Sequence, residues 1–237
     1  MMKPVRGSHM HDIDKVAIAA EVRRFQFEIW QRAGTTHSTV PHLLQLFRPD
    51  HAAAVHAIEY EVVAGSLGVH GVGNAQYQVA GLVDVQRSTI RIAGNLPYEV
   101  QRFTGAHELG HIVLHPGLSL HRDRPLLGAA PVPDRREREA NFFAACFLAP
   151  EKLLRRAFEE RFGTDMLHLD DRVAFAIAGN GAQDLLRSKT GSLEFPRAVA
   201  TARKFGLGNH FKSLAEEFGM SPTAMAIRIR ELDLVSY

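Results

Sequence analysis

The chain has a single cysteine, little charge excess of either sign and no apolar run long enough to cross a bilayer. Cys146 has no second cysteine to pair with, so an intramolecular disulfide is excluded and a reducing, cytoplasmic setting is expected. With neither a spanning run nor a signal-peptide pattern, no membrane role is expected. Basic residues number 28 against 26 acidic ones. Residues 1–10, with Gly7-Ser8-His9-Met10, read as a vector-derived scar; without Lys3 and Arg6 the balance becomes 26 against 26. Near neutrality weakens any argument from bulk charge to nucleic acid. No internal repeat or low-complexity tract is evident.

What the chain does have is His107-Glu108-Leu109-Gly110-His111, an H-E-x-x-H motif. Val100, Phe103, His107, His111 and Leu114 recur at the helical period, so the stretch from Pro97 to Pro116 reads as a helix. Pro97 suits the first turn and Pro116 stops the element. Residues four apart share a face, so His107 and His111 can offer two imidazoles to one metal. Glu108 projects beside them, placed to take a proton from the attacking water. Gly110 costs about 1 kcal/mol inside a helix, which implies that something packs close to the backbone there.

The surrounding pattern is α+β. Residues 12–33 read as a helix with the stripe Ile18, Val22, Phe25 and Ile29, stopped by Gly34. Val40 to Phe47 is a short apolar piece, and Pro49-Asp50 opens a further helix with Asp50 as its cap. Tyr60 to Val63 is β-prone, and Gly65 to Gly73 reads as a loop. Gln78 to Val85 and Ser88 to Ala93 form a hairpin turning near Gln86-Arg87, with an edge on which an extended peptide can pair. Residues 117–133 form a long loop. Asp134 then caps a helix reaching Leu148, and 151–162 is helical too. Gly163 to Asp171 reads as a linker. Beyond it lie a helix near Phe195 to Phe205 and a helix–turn–helix pattern, Lys212 to Phe218 and Pro222 to Leu232, with Ser221 as the second cap. The expected division is a metallopeptidase domain over 11–162 and a helical C-terminal region over 163–237.

A catalytic zinc takes three protein ligands as a rule. His115 is rotated about 80° from His107 on an α-helix, so it suits packing or support of a ligand better than ligation. The helix after Asp134 offers two glutamates. Glu137 has capping-box spacing from Asp134, which gives it a competing task. Glu139 shares a face with Phe143 and is the expected third ligand, with Glu137 in reserve. Cys146 lies on the Glu139 face and is read as a small hydrophobe. The donor set suits one divalent ion, zinc first and manganese second. An oxyanion donor is also needed; Tyr98, His115 and His121 are candidates among which the sequence does not choose.

Two motifs together carry a family resemblance. Phe103 to His111 followed by His115 resembles the signature helix of the ImmA/IrrE metallopeptidases. Glu137-Arg138-Glu139-Ala140-Asn141-Phe142-Phe143-Ala144-Ala145 through Pro150 is similar to that family's second helix. The likeness covers about Ile58 to Pro150 and extends loosely to the C-terminal helices. It implies a zincin-like domain with a small sheet over the active-site helix. It also implies metal ligands at His107, His111 and Glu139 and a catalytic base at Glu108. The implied activity is a gluzincin-like endopeptidase that cuts helix–turn–helix repressors and so induces stress or mobile-element genes. Where a fuller relative of that family carries a further sensor-like domain, the sequence here runs to Tyr237.

Two rivals differ in class. A DNA-binding regulator would use the C-terminal pair with Arg228 and Arg230; the neutral balance and the complete motif disfavour it. A module that binds a repressor without cutting it would have no need of Glu108.

Overall fold

The computed structural model describes residues 13–34, 39–70, 77–84, 86–116, 120–123, 134–208 and 210–237. The expected vector-derived segment and most of the 117–133 loop lie outside the described residues. Helix α1 (Lys15–Ala33) is capped by Asp14, whose side chain accepts from the Ala17 N–H at 2.9 Å. Its stripe of Ile18, Val22, Phe25 and Ile29 is buried as expected. The apolar piece is helix α2 (Val40–Leu46), followed by α3 (Pro49–Val55). Asp50 does not cap α3. Pro49 starts the helix, Arg48 takes the cap position, and the Asp50 carboxylate receives the Arg48 guanidinium at 2.6 Å.

Then come strands β1 (Glu59–Val63), β2 (Val69–His70), β3 (Tyr77–Gln78), β4 (Gly81–Asp84) and β5 (Thr89–Ala93), helix α4 (Tyr98–Leu114) and strand β6 (Leu120–Asp123). The expected strand from Gln78 to Val85 is split: β3 pairs with β2, and β4 forms the hairpin with β5. The main sheet has the order β1-β5-β4-β6, with β1 parallel to β5 and β4 antiparallel to both neighbours. Ile90 and Ile92 point into the core, while Arg91 faces out and meets Glu61, its partner across the parallel ladder, at 3.1 Å. The hairpin edge expected to be open is lined by β6, a strand inside what read as a loop.

Helices α5 (Arg135–Leu148) and α6 (Glu151–Phe162) follow. The expected linker contains strand β7 (Leu167–His168). After it come α7 (Asp171–Ala178), a 3-10 turn (Gly179–Gly181), α8 (Ala182–Leu186), α9 (Glu194–Thr201), α10 (Leu214–Phe218), α11 (Pro222–Glu231) and strand β8 (Val235–Ser236). β7 pairs in parallel with β8, so the end of the chain returns to the linker. One apolar core runs from Phe25 through Phe143, Phe147 and Phe158 to Leu214, Phe218 and Ile229. Polar ties cross the same seam: Arg161 pairs with Glu217, and Arg155 Nη2 donates to Leu232 O at 3.0 Å. The architecture is mixed α+β, mostly helical, with a small sheet beside α4. Among the described residues no helix is long and apolar enough to cross a membrane.

Candidate metal centre

Helix α4 holds both histidines deep in the protein; His107 is 4% exposed and His111 0%. Their Nε2 atoms lie 3.0 Å apart, facing a common point. Helix α5 brings the carboxylate. Glu137 Oε2 is 3.5 Å from His107 Nε2, and Glu137 Oε1 is 3.4 Å from His111 Nε2. Among the described residues His107, His111 and Glu137 form the one cluster of at least three such donors, all within 4.8 Å of one another. Two imidazoles and a carboxylate are the donor set of a catalytic zinc site, so these residues fit a divalent ion.

The structure brings Glu137, the reserve candidate, to the two imidazoles, and places Glu139, the expected third ligand, beside Arg135 and His115. Glu139 Oε1 receives Arg135 Nε at 2.7 Å, and Oε2 lies 3.7 Å from His115 Nε2. Asp134 caps α5 by accepting the backbone N–H of Glu137 at 3.0 Å, and the Glu137 carboxylate lies beside the imidazoles, so the capping spacing does not keep that side chain from the cluster. The face of α5 that carries Glu137 continues through Ala140, Asn141 and Ala144, small residues that let α4 come close. Gly110 is the matching feature on α4. A Cβ there would lie 3.2 Å from Ala140 Cα and 3.2 Å from Phe143 Cβ, which meets the expectation of a close neighbour.

Asn141 was not singled out from the sequence. Its Oδ1 lies 3.0 Å from His107 Nδ1. With the ring N–H donated to that oxygen, the Nε2 lone pair points to the common point with Glu137. The available signal was its spacing, one helical turn after Glu137.

Glu108 is fully buried and lies against β4. A Cβ on Gly81 would overlap the Glu108 carboxylate and sit 2.6 Å from Thr104 Cγ2, so the strand backbone runs directly over the expected base. His115 closes α4, its ring 5.5 Å from that of His111. Tyr98 is not brought to the site. It starts α4 nine residues before His107, about 13.5 Å away along the axis. There it lines a depression with Arg48, Tyr60 and Arg102. Cys146 stays out as well: it is not among the donors gathered at the two imidazoles, and it sits buried in the apolar core. Of His121, only its backbone pairing with Val83 is described.

A model of the M78 peptidase family, described as the IrrE N-terminal-like domain, matches residues 69–175 and so takes in the whole centre. No curated protein and no solved structure matches the chain.

Proposed function

The chain carries an ImmA/IrrE-type metallopeptidase domain of the M78 family at residues 69–175, and from that premise we propose that it is a zinc-type endopeptidase with Glu108 as general base. The observation that carries this reading is the meeting of His107, His111 and Glu137 within 4.8 Å, next to the buried Glu108 on the same helix. We assign the third ligand to Glu137. A divalent ion held by these three side chains would supply Lewis-acid polarisation of the scissile carbonyl and a more acidic attacking water.

The protein's own groups do the rest. Glu108 takes the proton of the attacking water as its oxygen bonds to the carbonyl carbon. It then delivers that proton to the departing amide nitrogen as the C–N bond breaks, leaving a carboxylic acid and an amine. Asn141 keeps the His107 ring oriented. His115 is the remaining described candidate for an oxyanion donor, by its position one turn after His111.

The substrate class we propose, a helix–turn–helix transcriptional repressor in the cytoplasm, comes from the family resemblance, with stress or mobile-element genes as the consequence. The test is incubation of the zinc- or manganese-loaded protein with the repressor encoded beside it, with and without chelator, and mapping of fragments by mass spectrometry. A cut that disappears in Glu108→Gln, a variant that keeps its metal, supports the reading. An intact repressor beside rapid breakdown of unrelated unfolded proteins points to a general peptidase.

The DNA-binding reading loses support from the placement of α11. Arg228 is 5% exposed and donates through Nε to Ala149 O at 3.2 Å, and Met225, Ala226 and Ile229 are buried beside it. A helix with that face in the core cannot present it to a groove.

A further inference from the structure

The strand that passes over the catalytic carboxylate is β4, and only one of its two edges can serve a substrate. One edge is paired with β5 in the middle of the sheet. The other is paired with β6, antiparallel, in the register Gly81↔Asp123, Leu82↔Arg122, Val83↔His121 and Asp84↔Leu120. An extended peptide that binds beside Glu108 by strand addition to β4 must lie along that second edge. We propose that Leu120–Asp123 is an internal occupant of the substrate's strand position, and that substrates bind by displacing it. This deepens the peptidase reading and rests on it for the identity of the displacing strand.

Three features carry the inference. The first is register. Gly81, whose missing side chain lets β4 run over Glu108, is the residue opposite Asp123. The end of β6 therefore lies on the stretch of β4 nearest the catalytic carboxylate. The second is connectivity. β6 follows the active-site helix after a short connection, so its local concentration at β4 is of the millimolar order that short tethers give. A free peptide at micromolar concentration loses that competition, whereas a protein with a second contact on the enzyme can win it. The third is extent. β6 has 4 residues and, among the described residues, stands at the sheet border, the kind of pairing that opens locally without global unfolding. Together they give an enzyme that ignores most peptides and selects partners able to pull β6 aside.

The test separates this claim from the peptidase claim by reading binding and hydrolysis independently. The probe is fluorescein-labelled β-casein, an unfolded protein. Binding is measured by anisotropy in full-length, zinc-loaded Glu108→Gln protein, so that nothing is consumed. Leu120–Asp123 is replaced by Gly-Ser-Gly-Ser. Two proline pairs, Leu120→Pro with Arg122→Pro and His121→Pro with Asp123→Pro, give milder versions. Because N–H groups alternate in direction along an antiparallel pair, only one proline pair removes donors to β4. The expected result is at least ~10-fold tighter casein binding in the replacement and in one proline pair, with the other pair weaker in effect. Hydrolysis by the counterparts that retain Glu108 should rise by a similar factor, with zinc content unchanged. Unchanged or weaker binding in folded, zinc-loaded variants overturns the proposal even if all of them hydrolyse casein. Tighter binding with no hydrolysis anywhere upholds the strand proposal and removes the peptidase reading. If the replacement fails to fold, the two proline pairs decide.

Discussion

His107 Nδ1 lies 3.0 Å from the side-chain oxygen of Asn141, across the seam between the two helices that build the site. The contact links a residue of one helix to the position one turn after the carboxylate supplied by the other. It therefore ties α4 to α5 and, with the ring N–H donated to Asn141, would hold the tautomer that leaves the His107 Nε2 lone pair for a metal. Asn141→Ala should lower zinc affinity by roughly 10–100-fold, the usual effect of removing such an outer partner. Asn141→Asp should retain affinity near that of the parent, because its carboxylate accepts the same ring N–H. Competition with a chromophoric zinc chelator measures both. Equal affinity in Asn141→Ala would show that the contact does not orient the ring.

The two glutamates of α5 give a second prediction. Glu137→Ala should lose the metal, since its carboxylate lies 3.4 and 3.5 Å from the two Nε2 atoms. Glu139→Ala should keep it, since Glu139 is engaged by Arg135 and His115. Elemental analysis of the purified variants decides between them. The opposite pattern would restore Glu139 as the ligand.

The choice between those glutamates marks where the sequence stopped being informative. H-E-x-x-H is a local pattern: two histidines one turn apart must share a face, whatever surrounds the helix. The buried stripe of α1 and the caps at Asp134 and Ser221 were legible for the same reason, since each is set within a few residues of chain. Which face of α5 meets α4 is a tertiary fact. Phe143 marked one buried face, but nearly the whole C-terminal half of α5 is buried, so an apolar neighbour could not single out the face toward the two imidazoles. β6 was missed on similar grounds. Leu120-His121-Arg122-Asp123 has no apolar alternation, and its pairing depends on β4, far earlier in the chain. Asp50 failed as a cap because Pro49 had already fixed the helix start one residue before it.

Gly81→Ala should separate stability from catalysis. The added methyl group would meet the Glu108 carboxylate and Thr104 Cγ2, both side chains packed beneath β4. Relief requires Glu108 to turn or β4 to lift. Overpacking of this kind costs about 1–3 kcal/mol, which a melting curve detects. Hydrolysis should fall by at least ~100-fold, the scale of a displaced general base, while zinc stays bound. Activity retained at the parental level would show that the base does not depend on the close approach of this strand.

The last prediction concerns the acid side of the stability curve. Ser213 and Glu216 form a complete capping box on α10: the Ser213 hydroxyl accepts the Glu216 N–H, and the Glu216 carboxylate accepts the Ser213 N–H at 3.1 Å. The same carboxylate receives the Ser213 hydroxyl at 2.8 Å and pairs with Arg203. These bonds hold the Glu216 carboxyl at about 2, well below its ordinary 4.5, with the Ser213 hydroxyl the largest cause and Arg203 next. A folded-state value below the unfolded one means that the unfolded chain binds the proton first. The stabilisation is therefore complete above pH 4.5 and is lost as pH falls toward about 2. Glu216→Gln should lower the melting temperature at pH 7 and leave less difference from the parent at pH 2.5. Since Glu216 is solvent-exposed and its Arg203 partner is on the surface, added salt should shrink the Arg203 share while leaving the Ser213 cap in place. A gap between parent and variant that stays constant from pH 7 to pH 2.5 would show that the carboxylate form of Glu216 contributes nothing to holding α10.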